Sequence, residues 1–344
     1  MRFYNIVITK PDKPQLPVSS QYNQLNDGVV TLDDITVTGS GPIKEWASYN
    51  EFGYFNPYAL MVEFDLQSVI LNAPTPGSMV KIYGISLADI SQATDLNNML
   101  IEIYGGMGPG LPLANPNQAG LLIKGQIIRA FGNWIGTDQS LCLMLTPSAA
   151  LAAYKAGGIT FEWAATQNLG DSIKAAIRTG FPASNIDMTL FDGNAAVVYD
   201  DNGAYPNLVT FALWLYRQPE YSDIEIYTDN DTIYVSNAKG RANKGTEPIQ
   251  ILPTDLIGQP TWIDTVIIQI TLVMRADIKI GSIIELPTTM YTSSPTKPAP
   301  NPSNSQAIGT FQGKFLIRSV RHVGNSRSTD SMGWVTIVEG GVAK

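Results

Sequence analysis

Between Tyr58 and Ile70 the chain alternates strictly: Leu60, Val62, Phe64 and Leu66 are separated by Met61, Glu63, Asp65 and Gln67. A period of two with one apolar face describes a half-buried strand, most naturally in an antiparallel sheet, and is incompatible with a helix. One such strand cannot stand alone. Runs of the same kind recur at Met79 to Tyr83, Met99 to Tyr104, Leu121 to Phe131 and Leu141 to Leu145, each bounded by Gly, Pro or Asn. Residues 1–150 therefore read as mostly β, with one short helix from Ser86 to Ala93 that Ser86 can cap.

The pattern changes after Thr160. Asn168 or Asp171 can cap a helix whose stripe is Leu169, Ile173, Ala176 and Ile177, ending at Gly180 and Pro182. A second helix starts at Pro206 and runs to about Gln218, with Leu208, Phe211, Ala212 and Leu215 inward. Ile224 to Thr228 and Thr232 to Ser236 flank the turn residues Asp229, Asn230 and Asp231 as a hairpin. Residues 151–247 thus form a small α/β module. Strands resume at Ile263 to Met274, Ser282 to Leu286, Phe311 to Val323 and Gly333 to Val338, so residues 248–344 make a second β region. It is interrupted by Thr292 to Gln306, whose Pro and Ser content predicts an extended, protease-sensitive loop.

Composition narrows the functional classes. With 44% hydrophobic residues and only 15% charged, the 344-residue chain can bury large cores and is not disordered throughout. Its net charge of -8 argues against a protein that coats nucleic acid or an anionic membrane with its whole surface. From Thr310 to Lys344 the sign reverses, with five basic residues against two acidic ones. Cys142 has no second cysteine to pair with, and His322 is the one histidine, so the soft-ligand clusters of structural zinc or iron–sulfur sites are missing from the sequence. No stretch is long and apolar enough for a membrane span, and the N-terminal apolar run before Lys10 is too short for a signal peptide core.

The constellations that carry chemistry elsewhere are weak here. Gly105 to Gly110 (GGMGPG) lacks the Lys and Ser or Thr of a phosphate loop, and Pro109 removes a donor, so a plain turn is expected. Cys142 reads as a small core or interface residue, and His322 as a structural or interface one. The acidic pairs Asp33 with Asp34 and Asp200 with Asp201, and the Asp229 to Asp231 run, read as solvated turns. Lys314, Arg318 and His322 share one strand parity beside Arg321. Such a basic stripe can meet phosphate, a partner's carboxylates, or only water. These four residues are the candidate interface residues; no catalytic, cofactor or metal residue is assigned.

Three segments in fixed order carry a resemblance. They are Val80 to Gly136, with KIYGISLADI and LLIKGQIIRAFGNWIG; Thr254 to Leu286, with DLIGQPTWID and VMRADIKIGSIIELP; and Gly313 to Ile337, GKFLIRSVRHVGNSRSTDSMGWVTI. Together they resemble the baseplate hub proteins of contractile phage tails, related in fold to the N-terminal part of the type VI secretion spike. The resemblance implies two tail-tube-like antiparallel β-barrels flanking the α/β module, without catalytic residues or cofactors. It further implies a homotrimer whose six barrels form a pseudo-sixfold ring in the virion. That ring joins the hexameric tail tube protein to the trimeric central spike protein among other baseplate proteins, and DNA passes through without specific binding. Synthesis is expected in the host bacterial cytoplasm.

Two rival readings stay open on the sequence. One is a tail-associated cell-wall hydrolase using carboxylates from distant segments. The other is a carbohydrate-binding adhesin in which Trp46, Trp134 and Trp163 act as stacking platforms rather than core or interface anchors.

Overall fold

In the computed structural model, the described residues are 2–11, 43–50, 53–71, 77–108, 115, 118–148, 151, 158–165, 167–182, 184–193, 201–217, 223–245, 247–287 and 313–343. Asp33, Asp34, Asp200 and the Thr292 to Gln306 loop lie outside them. Elements are numbered in chain order. The first β region contains β1 (Arg2–Thr9), β2 (Lys44–Ala47), β3 (Val62–Val69), β4 (Ser78–Tyr83), helix α1 (Leu87–Ser91), β5 (Leu100–Met107), β6 (Gly120–Ile135) and β7 (Asp138–Thr146). The α/β module contains β8 (Ile159–Trp163), α2 (Leu169–Gly180), β9 (Asn185–Leu190), β10 (Asp201–Tyr205), α3 (Leu208–Arg217), β11 (Glu225–Asp229), β12 (Thr232–Ser236) and α4 (Ala238–Lys244). The last region contains β13 (Ile249–Gln250), β14 (Thr261–Trp262), β15 (Ile267–Val273), β16 (Ile283–Leu286), β17 (Gly313–Asn325) and β18 (Trp334–Val342).

The molecule is mainly β. The alternation that begins at Leu60 survives in β3, where Val62, Phe64 and Leu66 are buried between half-exposed Glu63, Asp65 and Gln67. The two β regions are stitched into one 13-stranded sheet, in the order β14-β15-β18-β17-β3-β4-β7-β6-β5-β1-β2, with β16 and β13 off this path. β17 is the joint. On one side it pairs with β18 along its length; on the other its first residues pair with β16 and its last with β3. The change of partner coincides with a bulge, since Ile317 opposes Gly340 and Ser319 opposes Glu339, leaving Arg318 as the extra residue.

Three apolar clusters lie on this frame. The first is built on β1 and β3 to β7 but also takes in Met274, Ala276 and Trp334 from the far end of the chain. The second fills the α/β module and the third sits under β15 to β18. A buried polar relay ties the first region to the last. Gln118 donates from Nε2 to Asp255 Oδ1 at 3.0 Å, while its backbone oxygen accepts from Ala276. Arg275 donates from Nη1 to Asp255 Oδ2 at 3.1 Å and grips Asp277 through Nε and Nη2 at 2.7 and 2.6 Å.

In the module, Asn168 caps α2 by accepting from Gly170 N, and Leu169, Ile173, Ala176 and Ile177 are buried as the stripe requires. The second helix begins two residues later than expected: Asn207 accepts from Thr210 N, and Leu208, Phe211, Ala212 and Leu215 face inward. β12 pairs antiparallel with β11 and parallel with β9.

The expected turn at GGMGPG is corrected in its first half. Gly105, Gly106 and Met107 continue β5 against β1, and residues 109–110 lie outside the described set. The glycines serve close approach instead: a Cβ on Gly105 would stand 2.6 Å from Leu122 Cδ1, and one on Gly106 2.5 Å from Ala119 Cβ.

Candidate assembly surface

The four basic candidates do not form a stripe. The bulge at Arg318 shifts the parity of β17, so residues after it alternate on the opposite phase. Lys314, before the bulge, is exposed opposite Glu285. Arg318 turns toward the module and donates from Nη2 to Glu225 Oε1 at 2.9 Å, where Arg241 also reaches Glu225 Oε2 at 3.1 Å. Arg321 points outward and holds Asp65 through two bonds of 2.7 and 2.5 Å. Both partners of that pair are 44% exposed, so it contributes at most about 1 kcal/mol.

His322 faces inward and is only 4% exposed. Its Nδ1 lies 3.0 Å from Thr336 Oγ1, which also bonds both backbone groups of Arg275. It is a structural residue in this fold. Burial, aided by the Lys279 ammonium, pushes the imidazole down from 6.5 to about 3. The unfolded imidazole takes up a proton below pH 6.5 that the folded one refuses, so stability is full above that pH and falls as pH drops toward 3. From ~pH 7 to ~pH 5 this group alone should cost about 2 kcal/mol, read from urea midpoints, and His322→Gln should flatten that slope. Equal slopes in both proteins would contradict the assignment.

The Asp229 to Asp231 turn, expected to be solvated, is instead a docking point. Lys124 Nζ lies 2.5 Å from Asp231 Oδ2 and 3.4 Å from Glu102 Oε1. Lys279 Nζ lies 3.7 Å from Asp229 Oδ1 and donates to Leu121 O. Ser148 donates to Asn230 O at 2.7 Å. The module therefore clips onto both β regions through its hairpin tip, and Leu71 N to Ile226 O fixes the hairpin's base. Spacing along the chain could not reveal this, because both lysines come from segments far away in sequence, Lys124 from β6 and Lys279 from the connection between β15 and β16.

Where, then, is the unsatisfied surface? β6 and β7 extend past the first cluster as a hairpin turned by Gly136 at a φ of 62. Ile128, Phe131, Trp134 and Ile135 on β6 and Met144 on β7 are all exposed, Trp134 at 66% and Ile135 at 70%. Trp134 donates its indole N–H to Gly136 O in its own turn, so the ring offers an apolar surface with its polar group already satisfied. A second exposed group, Ile263, Val266 and Val342, lies where β14 turns into β15 beside the end of β18. The other tryptophans proposed as platforms sit elsewhere: Trp163 is buried in the module and Trp46 packs on the first cluster. Cys142 is a buried free thiol on β7. Among the described residues no helix is long and apolar enough to cross a membrane, and no three His, Cys, Asp or Glu residues gather as a metal site.

No protein-family model matches the sequence. No curated protein matches it either. Solved structures do. A tail protein from Neisseria meningitidis MC58 superposes with a TM-score of 0.51 at 9% identity, covering 98% of this chain and 96% of that one. Two others lie slightly lower. A 43 kDa tail protein of prophage MuSo2 from Shewanella oneidensis has a TM-score of 0.48 at 8% identity, over 83% of this chain and 94% of that one. An E. coli component of the type VI secretion system has a TM-score of 0.48 at 10% identity, over 83% and 73%. At such identities the likeness establishes fold, and the chain has the fold of the Neisseria tail protein from end to end.

Proposed function

We propose that this chain is a structural component of a phage-type tail, the hub of its baseplate. Three copies form a ring, each contributing two β lobes, so that a threefold assembly presents six similar seats to a hexameric tail tube and a threefold face to a trimeric spike. The genome passes through the centre without specific contacts, for which a net charge of -8 is suited. Residues 1–150 and 248–344 are assigned to the two lobes and 151–247 to the module clipped across them. Its place is the virion tail.

One observation carries this reading: the match to a tail protein over 98% of this chain and 96% of the other, so that both β regions and the module are part of the likeness. Exposed apolar side chains at the β6–β7 turn and the β14–β15 edge support it, because an assembly component keeps surface for its neighbours. The adhesin reading requires several aromatic platforms, and of its three tryptophans Trp134 is the exposed one. Light scattering on the purified chain tests the proposal. The expected mass is three times 37.3 kDa; a monomer at high concentration would contradict it.

A further inference from the structure

We propose that the β6–β7 hairpin of one protomer seats on the β14–β15 edge of the next, and that this contact, repeated, closes the ring; the inference rests on the trimeric reading above. β7 stays paired with β4 as far as Ser140, opposite Tyr83, and Gly84 N donates to Gln139 O, so the end of the hairpin alone projects from the body as a two-stranded turn, and Trp134 to Asp138 in it are all exposed. A two-stranded ribbon of this kind is only marginally stable in water. It carries Trp134 and Ile135 at its tip, both largely exposed, and burying them in a contact removes apolar surface from water.

The second copy is favoured as the occupant for three reasons. First, the chain bears a second, different apolar patch: Val266 and Val342 are each 58% exposed, beside exposed Ile263. Strands β18, β17, β3 and β4 lie between that edge and the hairpin, so the two patches cannot cover each other within one protomer. Two unlike patches make a head-to-tail contact, which closes as a ring instead of pairing as a twofold dimer. Second, each patch offers several apolar side chains to one contact: Phe131 and Ile135 share a face of the hairpin and are exposed, as are Ile263, Val266 and Val342 at the edge. Third, the charges are complementary, because exposed Arg129, stacked over Phe131 on the hairpin, faces an edge whose turn carries exposed Asp264.

The test uses the full chain with Cys142→Ser, so that introduced thiols are the only ones. Ile135→Cys and Val266→Cys are placed on the same chain and treated with a short bismaleimide. Covalent dimers and then trimers are expected on denaturing gels, while either single variant should give none. A trimer by light scattering that fails to cross-link through this pair would overturn the contact and leave the trimeric reading standing. A monomer would overturn both. Cross-linking by Ile135→Cys alone would mean a twofold contact between hairpins, which also overturns the proposal. As a second readout, Trp134→Glu should lower the mass to that of one chain with unchanged far-ultraviolet circular dichroism; a persistent trimer contradicts the role of the hairpin.

Discussion

Arg275→Ala is expected to lower the stability of the chain by about 3–5 kcal/mol, because it strands a buried carboxylate. The side chains of Arg275 and Asp255 are 3% and 9% exposed, and the guanidinium is the cation facing that acid. After the change Asp255 keeps Gln118 Nε2 and Leu252 N as donors but loses its counter-charge. Asp277 behaves differently. At 29% exposure it can rehydrate, so Asp277→Asn should cost much less, about 1 kcal/mol. The pair itself is not a large source of net stability, since charges removed from water are offset only in part by their attraction. Replacing both partners, Arg275→Met with Asp255→Leu, should therefore recover part of the loss, the remainder coming from the Gln118 amide and the Leu252 N–H left without their acceptor. Urea midpoints for the three variants check this; an Arg275→Ala chain within about 1 kcal/mol of the parent would show that water reaches the site.

Trp334→Ala should be equally damaging, by about 4 kcal/mol. Trp334 begins β18, yet its ring lies in the first apolar cluster, 5.2 Å edge-to-face from Phe64. Its indole N–H donates to Gly106 O at 2.8 Å, and the Arg2 guanidinium sits 5.9 Å from the ring centroid. One side chain thus fastens the end of the chain to its beginning. Trp334→Phe retains most of the buried area and leaves the Gly106 carbonyl without its donor, for an expected loss of about 1–2 kcal/mol. Thermal unfolding separates the outcomes: a tryptophan that merely fills surface would give small and equal shifts for Ala and Phe.

How much of this was legible beforehand depends on which force set each element. β3, α2, α3 and the β11–β12 hairpin are set by local periodicity and caps, and sequence spacing located them to within a few residues. β1 was missed as a strand. Its residues Phe3 to Ile8 are all buried, so it reads as a plain apolar run without alternation, the pattern of a strand covered on both faces. α4 is short and polar, with no apolar period; the signals that mark it are Asn237, which caps Gly240 N, and Gly245 in the left-handed region.

The basic residues of β17 do not form one stripe, for a different reason. Parity along β17 was counted as unbroken, but the bulge at Arg318 removes one residue from the count, and a slip of one exchanges the two faces. His322 therefore turns into the core and Arg321 out of it. Nothing in the local sequence announces that bulge: it arises where β17 changes partner from β16 to β3, a long-range event. The docking of the Asp229 to Asp231 tip on Lys124 and Lys279 was hidden by the same kind of distance. The apolar hairpin was within reach, since Trp134 and Ile135 directly precede Gly136, with Phe131 three residues before them. What sequence does not carry is that β6 ends two residues beyond the last rung of β4, which leaves Trp134 and Ile135 clear of the body.

The central claim is that a single polypeptide supplies two like β lobes, letting three chains stand in for six. Electron cryomicroscopy of the purified assembly tests it most directly. The expected image is a ring of three chains with an open centre and six β lobes at nearly equal spacing, alternating between residues 1–150 and 248–344. A ring with three lobes, or six of which alternate members fail to superpose, would contradict it.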